Sequence, residues 1–225
     1  MKRQRITLKA CLTLLGAATI AATTATMSAA APGGERVGDP YTLTTCPISG
    51  GALGSMGEPV VNLYDGREVR FCCAPCIGKF EKDLEASFTE LDAQIAADQA
   101  PYYPLDTCVI SGEALGDEYV NVVVGNRLVR TCCQMCEKKV RANPEPYIKA
   151  VNEAAIAQQR EHYPLDTCVV MEGEPLVEAD VEEVVIGGRL ARLCCKMCKR
   201  KIKKQPTEFI VAIDKAWSEQ GGFKH

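Results

Sequence analysis

Histidine is scarce in this chain: His162 and His225 are the only two among 225 residues. Hydrolytic metal chemistry wants an open ligand position and a general base beside it, and two histidines supply that poorly. His162 stands just before a Tyr-Pro loop and reads as a surface residue. Long apolar runs are also missing beyond residue 30, so nothing there reads as a membrane span. A basic excess is lacking too, with 26 Lys and Arg against 29 Asp and Glu. A composition of 47% hydrophobic and 24% charged residues excludes a collagen-like or wholly disordered chain.

What stands out against this background is thirteen cysteines. One of them, Cys11, lies in an N-terminal segment with the layout of a secretory leader. A positive start, Met1-Lys-Arg-Gln-Arg, precedes an Ala/Leu/Thr-rich stretch from Ala10 to Ala25 and the small residues Ser28 to Ala31. Residues 1–30 are therefore read as a signal peptide cut after Ala30, and 31–40 as a linker. Thr and Ala dilute the stretch too far for a retained anchor, and Cys11 comes too early to accept a lipid. Losing Lys2, Arg3, Arg5 and Lys9 takes 26 bases to 22 against 29 acids, a net charge of −7. An acidic mature chain is a poor partner for nucleic acid or an anionic membrane. The expected location is periplasmic or secreted.

The other twelve cysteines fall into three sets of four. Cys46, Cys108 and Cys168 open the sets, each five residues after a tyrosine (Tyr41, Tyr103, Tyr163). A Cys-Cys-x-x-Cys cluster closes each one: Cys72, Cys73, Cys76; Cys132, Cys133, Cys136; Cys194, Cys195, Cys198. The opening cysteines are 62 and 60 residues apart, which sets a repeat of about sixty residues. Three units are expected, over 41–100, 101–160 and 161–225.

Each unit reads as α+β. A β-branched run is broken by Asp65-Gly66, Gly125-Asn126 or Gly187-Gly188, pairs that accept the positive φ of a two-residue hairpin turn. The second strand, Arg67 to Phe71, Arg127 to Thr131 or Arg189 to Leu193, delivers the chain to the cysteines. After the cluster the period becomes helical. Phe80, Leu84, Phe88, Leu91 and Ile95 form one helical face in the first unit. Asn143-Pro144 and Pro206 read as starts of a second, longer helix in the other two.

Thiolates suit Zn²⁺ and Cu(I), and a unit this small needs a metal, a disulfide or a neighbour to fold. A cluster at a helix start gains thiolate character from the helix dipole. Arg70, Arg130 and Arg192, two residues before each cluster, would act in the same sense, or are simply exposed strand charges. Residues four apart share a helix face, so Cys72 and Cys76 point together, as Cys73 and Cys76 do at three apart. Cys46 supplies a further ligand from the loop.

The loop cysteine, Tyr64-Asp-Gly-Arg-Glu-Val-Arg, Phe71-Cys72-Cys73-x-x-Cys76, Lys79-Phe80 and Asn143-Pro144-x-x-Tyr147 together resemble the TRASH and YHS domains of heavy-metal trafficking, resistance and sensing proteins. The resemblance spans residues 41 to 220. It implies three small treble-clef-like zinc-finger modules in tandem. It implies the ligand sets Cys46/Cys72/Cys76, Cys108/Cys132/Cys136 and Cys168/Cys194/Cys198, with Cys73, Cys133 and Cys195 as candidate fourth ligands. About one Zn²⁺ or Cu⁺ per module follows, in a non-catalytic protein whose partners are metal ions and a metal-transport or envelope protein.

Two rivals stand beside this reading. All twelve cysteines could pair as disulfides in an exported scaffold. Cys73-Ala-Pro-Cys76 could be a thioredoxin-type redox pair, although no unit has the length or βαβ order of that fold. Met135 and Met197 lie inside two clusters, where a thioether favours Cu(I) but packing is the plainer role. The basic run Lys196 to Lys204 reads as a solvated helix face.

Overall fold

The computed structural model describes residues 36–223. The leader reading, with Cys11, lies outside them. Three β-hairpins form three separate two-stranded antiparallel sheets. They are β1 (Val60–Tyr64) with β2 (Arg67–Phe71), β3 (Val120–Val124) with β4 (Arg127–Thr131), and β5 (Glu182–Ile186) with β6 (Arg189–Leu193). Registers Tyr64↔Arg67, Val124↔Arg127 and Ile186↔Arg189 leave two-residue turns. Both turn residues have positive φ in each case, the geometry that matches strand twist.

A short helix and a longer one follow each hairpin: α1 (Ala74–Glu81) and α2 (Leu84–Gln99), α3 (Gln134–Ala142) and α4 (Glu145–Arg160), α5 (Lys196–Lys204) and α6 (Thr207–Glu219). The break in the first unit corrects the single helical face expected from Phe80 to Ile95. Asp83 interrupts it, its carboxylate accepting the Ala86 amide at 3.1 Å and so starting a second helix. Phe80, on α1, still reaches Phe88, on α2, edge to face with centroids 5.0 Å apart. No helix of the described residues is long and apolar enough to cross a membrane.

The units pack onto one another. Gln99, at the end of α2, is buried against the second hairpin. Its amide nitrogen donates to the Asn126 carbonyl at 2.8 Å, and its oxygen accepts the Leu128 amide at 2.9 Å. Gln159 repeats this one unit on, donating to the Gly188 carbonyl at 2.7 Å and accepting from Leu190 at 2.7 Å. Among the described residues no helix precedes the first hairpin. There the backbone N–H of Val37 donates to Gly66, the equivalent turn carbonyl, at 2.8 Å.

Residues 36–40, expected as a linker, are thus part of the fold. The Asp39 amide donates to Gly125 at 2.7 Å, and its carboxylate accepts the Gly187 amide at 3.0 Å. All three hairpin turns meet this one segment. The approach is close enough that a Cβ on Gly38, at φ +80°, would stand 2.4 Å from the Gly125 oxygen. Burial raises the Asp39 carboxyl above its ordinary range, with Arg127 opposing that shift. Arg127 is itself buried, and its Nη1 lies 4.0 Å from Asp39.

Candidate metal centres

Two fully buried residues hold each cluster in place. One ends the second strand (Phe71, Thr131, Leu193), and the other lies one helical turn beyond the last cysteine (Phe80, Val140, Ile202). Between them the chain turns from strand to helix. Cys73, Cys133 and Cys195 are the N-cap residues, in extended backbone. The helix begins one residue after the Cys-Cys pair, so neighbouring thiols need not diverge as they would inside a helix.

The opening cysteine sits in a tight loop that folds back to meet the cluster. The Cys46 amide donates to Gly51 at 2.8 Å, and the Cys46 carbonyl accepts from Gly50 at 2.9 Å. Cys108 is pinned the same way to Glu113 and Gly112. The third loop is one residue longer, and Cys168 donates to Glu174 at 2.8 Å. Tyr103 and Tyr163 tie these loops to their hairpins by accepting the amides of Arg130 and Arg192 at 2.8 and 3.2 Å.

The result is three sulfur triads: Cys46/Cys72/Cys76, Cys108/Cys132/Cys136 and Cys168/Cys194/Cys198. Within each, the sulfurs lie within 4.8 Å of one another. The measured Cys72–Cys76, Cys132–Cys136 and Cys194–Cys198 separations are 3.8, 3.9 and 3.6 Å. A Zn–S bond of about 2.3 Å puts tetrahedral sulfurs about 3.8 Å apart, so the spacing already suits a shared ion. All twelve cysteines of the described residues are free. Cys73 and Cys195, outside the triads, stand 3.6 Å from Cys76 and Cys198.

The thiols within a triad differ in acidity. Burial pushes the Cys46 thiol up, but the Ser49 hydroxyl and the amides of Cys72, Ser49 and Ile48 outweigh it and bring it down to about 6. Cys108 is brought to about 6 against burial by the amides of Ser111, Cys132 and Ile110 and the Ser111 hydroxyl. Cys168 is lowered against burial by amides of Cys194, Met171 and Val170. Cys76 and Cys136 are pushed up to about 12, by burial first and then by the surrounding sulfurs. Cys198 is raised for the same reasons. Each triad therefore pairs an acidic loop thiol with a helix thiol that holds its proton.

The arginines before the clusters are engaged elsewhere. Arg70 bonds Glu68 at 2.7 Å and the Lys204 carbonyl at 3.0 Å. Arg130 lies over the rings of Tyr103 and Tyr119, and Arg192 bonds Glu178 and Glu183. They serve packing between loop, hairpin and neighbouring unit, while amides and hydroxyls set the loop thiols. Met135 and Met197 are 74% and 69% exposed, which removes packing as their role. His162 is exposed at the end of α4, and the basic residues of α5 flank one buried Ile202 as a solvated face.

Comparison with known proteins gives no match: no family model, no curated protein and no solved structure is similar enough to carry an argument. The assignment therefore rests on the chain itself, which is an α+β protein of small antiparallel hairpins with three cysteine triads able to hold a metal ion.

Proposed function

We propose that this is an exported, non-catalytic protein that holds one thiophilic ion, Zn²⁺ or Cu(I), in each of three treble-clef-like modules of the TRASH/YHS kind, for metal storage, trafficking or resistance. The observation that carries the reading is the threefold recurrence of a triad whose sulfurs lie within 4.8 Å of one another, with the pair that spans the helix start 3.6 to 3.9 Å apart. One such cluster is a common accident of packing; three, each on the same hairpin-to-helix turn, are a repeated design. Export is supported by the leader-like residues 1–30, and a metal-transport or envelope protein is the partner to which such a holder would deliver.

Thiolate coordination also answers an energetic need. Each unit is only about sixty residues long, and metal binding supplies folding free energy directly. Cys73, Cys133 and Cys195 complete a tetrahedral site or remain as the thiols through which an ion leaves.

Metal content by mass spectrometry, with a free-thiol count on protein purified anaerobically from its native compartment, tests the proposal. About three ions per chain is the expected result, and Cys46→Ser should lower the content by one. Absence of metal together with twelve oxidised thiols would leave a disulfide-stapled scaffold instead.

A further inference from the structure

The three triads share a geometry but not their surroundings, and two independent features set the third apart. The first is the soft donor content at the rim. In the first module the residue three after the loop cysteine is Ser49, whose hydroxyl lies 3.3 Å from the Cys72 sulfur, and Pro75 precedes Cys76. The second module keeps the hydroxyl, Ser111, at 3.6 Å from Cys132, but has Met135 before Cys136. In the third both positions are methionine: Met171 replaces the serine, and Met197 precedes Cys198. Met171 is 52% exposed while its amide donates to the Cys168 sulfur, so the residue borders the triad. A hydroxyl donor draws charge from a thiolate, whereas a thioether adds a soft ligand.

The second feature is charge. On α1, Lys79 and Glu81 cancel; on α3, Lys138, Lys139 and Arg141 exceed Glu137 by two; α5 carries six bases and no acid. Counting the acids of the loop between each opening cysteine and its hairpin (Glu58; Glu113, Asp117 and Glu118; Glu172, Glu174, Glu178 and Asp180) brings these balances to −1, −1 and +2, so charge sets the third module apart from the other two. Lys199 of α5 is also held by Glu182 at 3.1 Å. Three thiolates with a divalent ion carry one negative charge, and with a monovalent ion two. A positive surrounding field stabilises the second complex more than the first. Softness and field therefore select in the same direction.

Resting on the proposed metal-binding function, we infer that the sites are ordered by preference: the third takes a monovalent thiophilic ion, Cu(I) or Ag(I), ahead of a divalent one, and the first is the most zinc-like.

Silver, which is monovalent and redox-silent, is the probe. The full reduced protein is loaded with three Zn²⁺ and given one equivalent of Ag⁺. Residual zinc is then stripped with EDTA, and the exposed cysteines are alkylated and mapped by peptide. Cys168, Cys194 and Cys198 should be protected about tenfold more than Cys46, Cys72 and Cys76, with the second module between. Met171→Ser with Met197→Ala should lose most of that margin, and 1 M salt should reduce what remains. Equal protection of the three modules, or protection of the first module before the third, overturns the ordering while leaving metal binding intact. An unchanged margin in the double variant overturns the role given to the thioethers. A chain that takes up neither zinc nor silver overturns the metal-binding reading itself.

Discussion

Replacing Gln159 by leucine tests how the modules are joined. The side chain is fully buried, and it satisfies one donor and one acceptor of the third hairpin, Leu190 N–H and Gly188 C=O, both at 2.7 Å. Leucine keeps most of the volume and removes both bonds. Two buried backbone groups left without partners cost ~1–3 kcal/mol each, and the extra apolar surface returns ~1–2 kcal/mol. The net expectation is about 3 kcal/mol of destabilisation. Two readouts follow on zinc-loaded protein. The denaturant midpoint of the transition that unfolds the third hairpin should fall accordingly. Hydrogen exchange at the Leu190 amide should accelerate about a hundredfold, because opening of that bond no longer competes with a closed state of full depth. Lys149→Ala, on the exposed face of α4 in an i,i+4 pair with Glu153, is the control and should change stability by less than about 0.5 kcal/mol. A Gln159→Leu protein within that same margin, with Leu190 still slow to exchange, would refute the view that this amide is the joint.

Two more expectations concern the thiols and the hub. The Cys46 and Cys108 thiols are depressed to about 6 in the fold, so the stability they contribute is complete above the ordinary thiol value near 9 and is lost as pH falls toward 6. Cys76 and Cys136, raised to about 12, contribute below 9 and lose that contribution only as pH rises toward 12. The reduced, chelated protein should therefore gain stability from pH 6 to 9. Cys46→Ser should flatten the share of the first module, and a flat wild-type profile over that window contradicts the assignment. At the hub, Gly38→Ala places a methyl against the Gly125 carbonyl at positive φ and should cost about 2–4 kcal/mol, read from the thermal midpoint. An alanine variant with the wild-type midpoint would mean the segment can move away from the turns.

The hairpins were legible because the turn pairs and the β-branched runs are local signals, and the strands lie within a residue of where those signals put them. The cysteine spacing alone left Cys72 with Cys76 and Cys73 with Cys76 both open; the ligand sets that the resemblance implied are the ones whose sulfurs gather, with Cys72 outside the helix and Cys73 capping it. The boundary at Asp83 was harder to see, because the apolar period runs across it and only the capping carboxylate marks it. The role of Gln99 and Gln159 is not legible in the local pattern. A glutamine in a helix reads as surface, yet each stands 23 residues after the helix cysteine of its unit, and that recurrence was the available signal. Residues 36–40 looked like a tether for want of any apolar period. Their role is made by backbone amides, which sequence does not display.

The joint between units has a direction, with a helix end given and a hairpin turn receiving. Strings built on such a rule have a free giver at one end and a free receiver at the other, and invite further copies to add on. Among the described residues neither role is left open at the outer units. Val37 occupies the receiving turn of the first hairpin, and at the position where Gln99 and Gln159 stand the third unit has Gly221, which has no side chain to give. Within the described residues the relay of joints therefore runs one way, from the first unit to the third, and is bounded by one backbone amide and one missing amide group.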